Sequence, residues 1–85
     1  MIYYVYIIIS KRNNSFITYV GYTKDIKKRI NMHNESKGAK FTRGNKWKLI
    51  YKETYNSKIS AMKAEYKLKK NHKLRNKIKK NYLYK

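Results

Sequence analysis

The sequence predicts an α+β fold in which a small three-stranded antiparallel sheet carries packed helices. Residues 2–9 are rich in tyrosine, valine and isoleucine, residues 16–22 repeat that composition after a polar segment, and later segments show helical spacing of apolar residues. β-branched and aromatic residues favour strands, whereas apolar residues at i and i+4 favour an amphipathic helix. Since 85 residues can build only a small core, we expect a single domain over residues 1–85.

The first two strands are expected to form a hairpin, because a polar Ser-Lys-Arg-Asn-Asn-Ser segment between them has the composition of a turn. A first helix is expected near 24–34. Thr23 is placed as its N-cap, and Asp25 lies in its first turn, beside the positive end of the helix. Ile26 and Ile30 are four residues apart and predict the face that packs on the core.

The second half of the chain is expected to add one strand and two helices. Residues 35–45 contain two glycines and no apolar period, which predicts a loop. Ser57 or Ser60 is expected to cap the next helix. The remaining elements are expected as a strand over 47–55 and helices near 58–70 and 72–80.

The charge of the chain is strongly unbalanced. It contains 23 lysines and arginines against 4 acidic residues, a formal net charge of +19. Such a charge concentrates polyanions, so the expected partner is DNA, or else RNA. A membrane surface is a less favoured polyanion, because the basic residues are interleaved with Tyr, Asn and Ile instead of lying opposite one apolar face. We therefore expect no membrane partner and an intracellular location, in the cytoplasm or wherever the genome resides.

The absence of cysteine limits the chemistry open to the chain. With no cysteine in the sequence, a thiol nucleophile, disulfide bonds and thiolate zinc sites are excluded together.

Glu65 occupies an unusual position on the second predicted helix. On a helical wheel it lies between two apolar groups, and a buried carboxylate is costly unless it is paired or bound. It is either one half of a structural ion pair with a nearby lysine or a ligand. The first apolar group is Ile59, Met62 and Tyr66, and the second is Ala61, Ala64 and Leu68.

Arg29 and His33 border the apolar face of the first predicted helix. They are four residues apart and flank the stripe formed by Ile26 and Ile30. Arg29 is either a surface arginine whose stem covers apolar atoms or a functional cation at the edge of the core. His33 is either a packed or capping group or a participant in chemistry.

Tyrosines on the first two strands can meet only in certain registers. Tyr6 and Tyr19 converge if antiparallel pairing places them opposite each other or an even number of residues apart, because side chains alternate between faces. Gly21, on the same face as Tyr19, removes a side chain where another backbone or a ligand can approach closely.

As an ordered set, these residues resemble the GIY-YIG nuclease superfamily, in particular its short, stand-alone members. The resemblance covers roughly residues 2–70, and the segment Gly38-Ala39-Lys40-Phe41-Thr42-Arg43-Gly44 is similar to a loop of those short members. Tyr4 and Val5 replace the first glycine and isoleucine of the family name, and Val20 replaces the second isoleucine. The segments that carry the resemblance are Tyr4-Val5-Tyr6, Tyr19-Val20-Gly21, Thr23, Arg29, His33 and Ala64-Glu65-Tyr66-Lys67.

The resemblance implies phosphodiester hydrolysis with one Mg²⁺ or Mn²⁺ and no small-molecule cofactor. Glu65 would be the protein ligand of the metal, and Arg29 would hold the scissile phosphate. Tyr6 would be the general base, which requires nearby cations to lower its pKa from about 10. Tyr19 would orient Tyr6 or the attacking water, and His33 would assist in proton handling or phosphate contact.

Basic residues around that site are expected to bind phosphates without reading sequence. No base-reading module is recognisable, so the function expected is a DNA endonuclease selective for structure. The alternative is a non-catalytic nucleic-acid-binding module on the same fold. The residues expected to contact nucleic acid are Lys40, Thr42, Arg43, Lys67, Lys69, Lys70 and Lys73.

Overall fold

The computed structural model describes residues 1–84 and shows a three-stranded antiparallel sheet with three helices. The predicted α+β fold is therefore confirmed. None of the helices in the described part of the chain is both long and apolar enough to cross a membrane. In chain order the elements are β1 (Tyr3–Arg12), β2 (Ser15–Thr23), α1 (Ile26–Asn34), a 3₁₀ turn (Lys40–Thr42), β3 (Lys48–Tyr55), α2 (Lys58–Lys70) and α3 (His72–Leu83).

The β1–β2 hairpin is longer and its turn tighter than the sequence predicts. Pairing continues outward to Arg12 and Ser15, which leaves Asn13 and Asn14 as the turn. Asn13 has a φ of 56°, in the left-handed region that asparagine tolerates better than most residues. The polar segment that predicted a six-residue loop is therefore mostly strand.

The strands are ordered β2-β1-β3, so β1 is hydrogen-bonded on both sides. One face of the sheet is covered by the second and third helices. There Val5, Ile7 and Val20 pack with Ala61 and Leu68 of α2 in a buried cluster.

The other face of the sheet is covered by α1 and the loop that follows it. Tyr6, Ile8 and Trp47 form a second buried cluster, against which Ile26 and Ile30 of α1 pack. The predicted core stripe of α1 is thus confirmed. Because helices lie on both faces, β1 is buried from both sides.

The start of α1 differs from the prediction. Asp25, not Thr23, is the N-cap, and its Oδ1 accepts a hydrogen bond from the backbone N–H of Lys28 at 3.1 Å. Thr23 stands two residues earlier and its hydroxyl accepts the N–H of Asp25 at 3.2 Å. For α2, Ser57 is the cap and accepts the N–H of Ser60 at 3.1 Å.

Only one of the two apolar groups of α2 faces the core. Ala61 and Leu68 are 0% and 7% exposed, whereas Ile59, Met62 and Tyr66 are 66%, 45% and 59% exposed. An apolar group on the wheel is therefore not by itself evidence of burial. A helix lying on a sheet buries one stripe, and the small Ala61 allows close approach on that side.

Candidate active site

A cleft of about 460 Å³ lies at the β2 edge of the sheet. Residues from both faces of β2 line it, so it opens where this edge separates α1 from α2. Tyr6, Tyr19, Arg29 and Glu65 all contribute to its wall. Four of the five residues predicted to be catalytic are therefore gathered around one cavity, and the fifth lies directly behind it.

The register of the hairpin brings the two tyrosines together. Tyr6 pairs with Gly21, and Tyr19 pairs with Ile8, so the tyrosines are two residues apart in register and on one face. A Cβ on Gly21 would lie 2.6 Å from Cζ of Tyr6. The glycine thus makes the space that the phenol ring occupies. The sequence predicts a close approach at this position, but a side chain makes it, not a backbone or a ligand.

Tyr6 and His33 form a buried hydrogen-bonded pair. The Oη of Tyr6 lies 2.9 Å from Nε2 of His33, and the two residues are 1% and 0% exposed. On the other side of the ring, Nδ1 of His33 lies 2.8 Å from Oγ1 of Thr42. The Tyr19 ring packs against the same imidazole with 5.2 Å between centroids. His33 is therefore held in one orientation between the cleft wall and the loop over residues 35–47, called the central loop below.

The Gly38 backbone approaches His33 closely. A Cβ at that position would lie 2.9 Å from Cε1 of the imidazole. The loop can therefore close over His33 only because residue 38 has no side chain.

The ionisation of the pair departs from the sequence expectation. Burial raises the pKa of Tyr6 to about 12, and the neighbouring Arg29 only partly opposes this effect. Arg29 thus lowers this pKa, as the sequence predicts for a nearby cation, but burial has the larger effect. Burial, and then the charge of Arg29, lowers the pKa of His33 below its usual value. His33 is therefore neutral at pH 7.

Arg29 presents an uncompensated cation to the cleft. It is half-buried, and its Nε is buried without a hydrogen-bond partner in the described part of the chain. A buried donor is costly unless a ligand or water satisfies it, so the geometry favours an anion here. Lys24 and Lys58 also line the cleft. The sequence did not single them out, because lysines occur throughout the chain.

Glu65 is the only acidic side chain that lines the cleft among the described residues. It is 19% exposed, and its Oε1 lies 3.6 Å from Nζ of the half-exposed Lys69, one turn later. Such solvent-accessible i, i+4 pairs contribute only about 0.3–0.5 kcal/mol, so this contact leaves the carboxylate available to a stronger cation. Of the two alternatives from the sequence, the ion pair is present in a weak form, and the role as a ligand stays a prediction.

The donor set of the cleft limits the kind of metal it can accept. Within residues 1–84 no group of three or more His, Cys, Asp or Glu side chains is placed to hold an ion. A single carboxylate in an open cleft suits Mg²⁺ or Mn²⁺, since Mg²⁺ keeps several waters and binds through one or two carboxylates plus substrate phosphate. It does not suit a closed structural site.

The central loop exposes its basic residues Lys40 and Arg43 but buries Thr42. Lys40 and Arg43 are exposed, and Phe41 between them stacks on Tyr19 of the cleft wall with ring centroids 6.2 Å apart. Thr42 is 0% exposed. The expectation that Thr42 contacts nucleic acid does not fit the structure, because its hydroxyl faces His33 and has no access to a phosphate.

The lysines of α2 and α3 that are expected to contact nucleic acid are exposed, and their surroundings differ. Lys69 reaches toward Glu65, and the Lys70 ammonium lies 4.4 Å from the centroid of the Tyr66 ring. Lys67 lines a separate groove between β3 and α2, and Lys73 lies in the first turn of α3. These basic residues therefore spread over the solvent-facing side of α2 and the start of α3 instead of following a single track.

Comparison with known proteins assigns this chain to a family. UPF0213 protein SAG0778 of Streptococcus agalactiae is 56% identical over 48 residues, 55% of this chain and 54% of that protein, so the chain aligns to about half the length of that relative. UPF0213 protein SERP0126 of Staphylococcus epidermidis is 41% identical over 68 residues, 79% of each protein. The solution NMR structure of UPF0213 protein BH0048 from Bacillus halodurans is 38% identical, covers 99% of this chain and 86% of its own, and has a TM-score of 0.48. The family model described as the GIY-YIG catalytic domain matches residues 2–80. The chain therefore belongs to the GIY-YIG nuclease family.

Proposed function

We propose that the protein is a metal-dependent endonuclease that hydrolyses phosphodiester bonds in DNA and selects its substrate by structure. The observation that supports this most is the composition of one cleft, in which a lone carboxylate, Glu65, faces an arginine with an unsatisfied buried donor and two tyrosines. Membership of the GIY-YIG family supports nuclease-type hydrolysis, and the net charge of +19 supports a nucleic-acid substrate.

Glu65 would bind one Mg²⁺ or Mn²⁺ through its carboxylate. When bound, the ion supplies positive charge to the scissile phosphate and a hydrated coordination sphere. Displacing Lys69 from Glu65 costs little, because their 3.6 Å contact is a loose, solvent-accessible pair.

Arg29 would hold the scissile phosphate. Its guanidinium stays protonated and presents a planar set of donors, which matches phosphate oxygens and stabilises the charge that builds on them. Lys24 and Lys58 line the same cleft and would hold flanking phosphates as point charges.

Tyr6 would pass a proton from the attacking water to His33. With a pKa of about 12, a free phenolate would amount to roughly one molecule in 10⁵ at pH 7. Nε2 of His33 lies 2.9 Å from the phenol oxygen, so Tyr6 can accept the proton of water while its own proton moves to the imidazole. Tyr19 packs on the His33 ring and lines the cleft, where it would orient the water.

A nicking assay on plasmid and on forked duplex DNA, titrated with Mg²⁺ and with Mn²⁺, tests the proposal. We expect cleavage that EDTA abolishes and that Glu65→Gln lowers at least about 100-fold. Glu35→Gln is the matched control, since it removes the same charge from an exposed carboxylate that does not line the cleft. Arg29→Lys keeps the charge and loses the planar fork, so it should also be slow, whereas Arg12→Lys at an exposed strand end should not.

A non-catalytic DNA-binding module is the second candidate function. The raised pKa of Tyr6 and the pairing of Glu65 with Lys69 favour it, because a phenol with a high pKa is seldom ionised and Glu65 already has a cation partner. This candidate predicts salt-sensitive DNA binding with no cleavage under any divalent ion. Wild-type protein that binds forked DNA tightly and never nicks it would refute the endonuclease proposal.

A further inference from the structure

We propose that Thr42 is a positioning residue that fixes the tautomer of His33, so that Nε2 is free to accept the proton of Tyr6. The catalytic meaning of this assignment rests on the proposed function. The hydrogen-bond assignment itself does not. Its basis is a chain of short contacts that runs from the cleft into the central loop.

The number of hydrogen atoms available along these contacts fixes the direction of each hydrogen bond. The hydroxyl of Thr42 has one hydrogen, and its Oγ1 lies 2.8 Å from the carbonyl oxygen of Ala39, which can only accept. Thr42 therefore donates to Ala39 and must accept in its 2.8 Å contact with His33. Nδ1 of His33 then carries the proton, and Nε2 of the neutral ring presents its lone pair to the phenol of Tyr6 at 2.9 Å.

This arrangement serves both states that a proton transfer would need. Nδ1 carries a hydrogen in the neutral tautomer and in the imidazolium alike, so Thr42 can accept it before and after Tyr6 gives up its proton. The opposite tautomer would leave Nδ1 as an acceptor facing an oxygen that has no hydrogen to give. It would also turn Nε2 into a donor, and Tyr6 would lose its proton acceptor.

A hydroxyl facing Nδ1 of His33 adds no negative charge next to the imidazole, whereas a carboxylate would. The groups facing His33 are the phenol of Tyr6, the ring of Tyr19, the charge of Arg29 and the hydroxyl of Thr42. None of these is an anion at neutral pH. A carboxylate at the Nδ1 side would fix the same tautomer but would also stabilise the imidazolium. Thr42 orients the ring while leaving it neutral.

The packing around Thr42 explains how it stays in place. The indole N–H of Trp47 donates to the Thr42 carbonyl oxygen at 2.8 Å, and both residues are buried. The N–H of Thr42 itself donates to Ala39 at 3.0 Å. The side chain of Thr42 therefore projects from a 3₁₀ turn in which the backbone C=O and N–H of Thr42 are both hydrogen-bonded.

The tautomer can be read by ¹⁵N-detected NMR of the imidazole above pH 7, in the full chain without DNA or metal. We expect wild-type His33 to show a protonated Nδ1 and an unprotonated Nε2. Thr42→Val keeps the shape and removes the hydroxyl, so its His33 should show mixed tautomers, whereas Thr42→Ser should restore the wild-type pattern. In the nicking assay, Thr42→Val should lower the rate about 10- to 100-fold with unchanged DNA affinity, and Thr42→Ser should recover most of it.

A protonated Nε2 in the wild type, or a Thr42→Val protein with the wild-type tautomer, would overturn the assignment. If Thr42→Val fails to fold, the wild-type and Thr42→Ser spectra still decide it. A protein that cleaves nothing but shows the expected tautomers refutes the proposed function and supports the assignment of Thr42. Normal cleavage by Thr42→Val with mixed tautomers refutes the catalytic meaning alone.

Discussion

Replacing Gly21 by alanine tests whether the position of the Tyr6 ring depends on this glycine. The added Cβ would lie 2.6 Å from Cζ of Tyr6, well inside van der Waals contact. The Tyr6 ring cannot shift freely to relieve this clash, because Tyr6 is 1% exposed and its hydroxyl is hydrogen-bonded to His33. Overpacking of this kind costs about 1–3 kcal/mol, and loss of the buried hydrogen bond adds about 1 kcal/mol. We expect Gly21→Ala to lower the free energy of unfolding by about 2–4 kcal/mol and Tm by about 8–30 °C.

Urea unfolding followed by circular dichroism measures this loss, with the slope m unchanged and the midpoint reduced. Gly44→Ala is the control: no atom lies within 4 Å of a Cβ built there, and its φ of +82° should cost only about 1–2 kcal/mol. The control should leave the NMR signals of the Tyr6 and His33 rings unchanged. A Gly21→Ala protein as stable as wild type, with the same ring signals, would refute the packing of Tyr6 described above.

Three further predictions concern α2, the buried histidine and the start of α1. Leu68→Ala should cost about 2–5 kcal/mol by urea unfolding, whereas Ile59→Ala, which removes a 66% exposed side chain, should change stability by no more than about 0.5 kcal/mol; equal losses would contradict the orientation of the helix. The pKa of His33 is lowered in the folded state, so the unfolded chain binds a proton first and stability should fall as pH drops below about 6.5. His33→Gln should abolish that part of the pH dependence, whereas the control His72→Gln, at an exposed histidine, should keep it. A wild-type free energy of unfolding that does not change from pH 7 to pH 5 would be inconsistent with the lowered pKa. Asp25→Ala should cost about 0.5–2 kcal/mol, because it removes the acceptor for the Lys28 N–H, and an unchanged unfolding midpoint would show that the cap is not needed.

The strands, the helices and the convergence of the two tyrosines were predictable because they depend on spacing along the chain. Side-chain alternation predicts that Tyr6 and Tyr19 share one face on condition that an even number of residues separates them in the register. The pairing of Tyr6 with Gly21 satisfies that condition. The i, i+4 pair of Ile26 and Ile30 identified the buried face of α1 in the same way.

The errors share a physical cause, which is that burial is decided by neighbours from distant parts of the chain. A wheel gives α2 two apolar groups, but only the sheet determines that Leu68 is inside and Tyr66 outside. Thr42 looks like a surface residue in a basic loop, yet Trp47 and His33 enclose it. The raised pKa of Tyr6 likewise follows from the depth of its pocket, which no local pattern encodes.

The two halves of the cleft differ in how firmly the fold holds them. Tyr6 belongs to β1, whose backbone is bonded to a neighbour on each side and is covered above and below. Glu65 belongs to α2, which packs on the sheet along one side and presents several apolar side chains to water on the other. Hydrogen exchange should accordingly be slowest in β1 and faster in α2. Local opening of the cleft is therefore expected on the carboxylate side before the Tyr6 side.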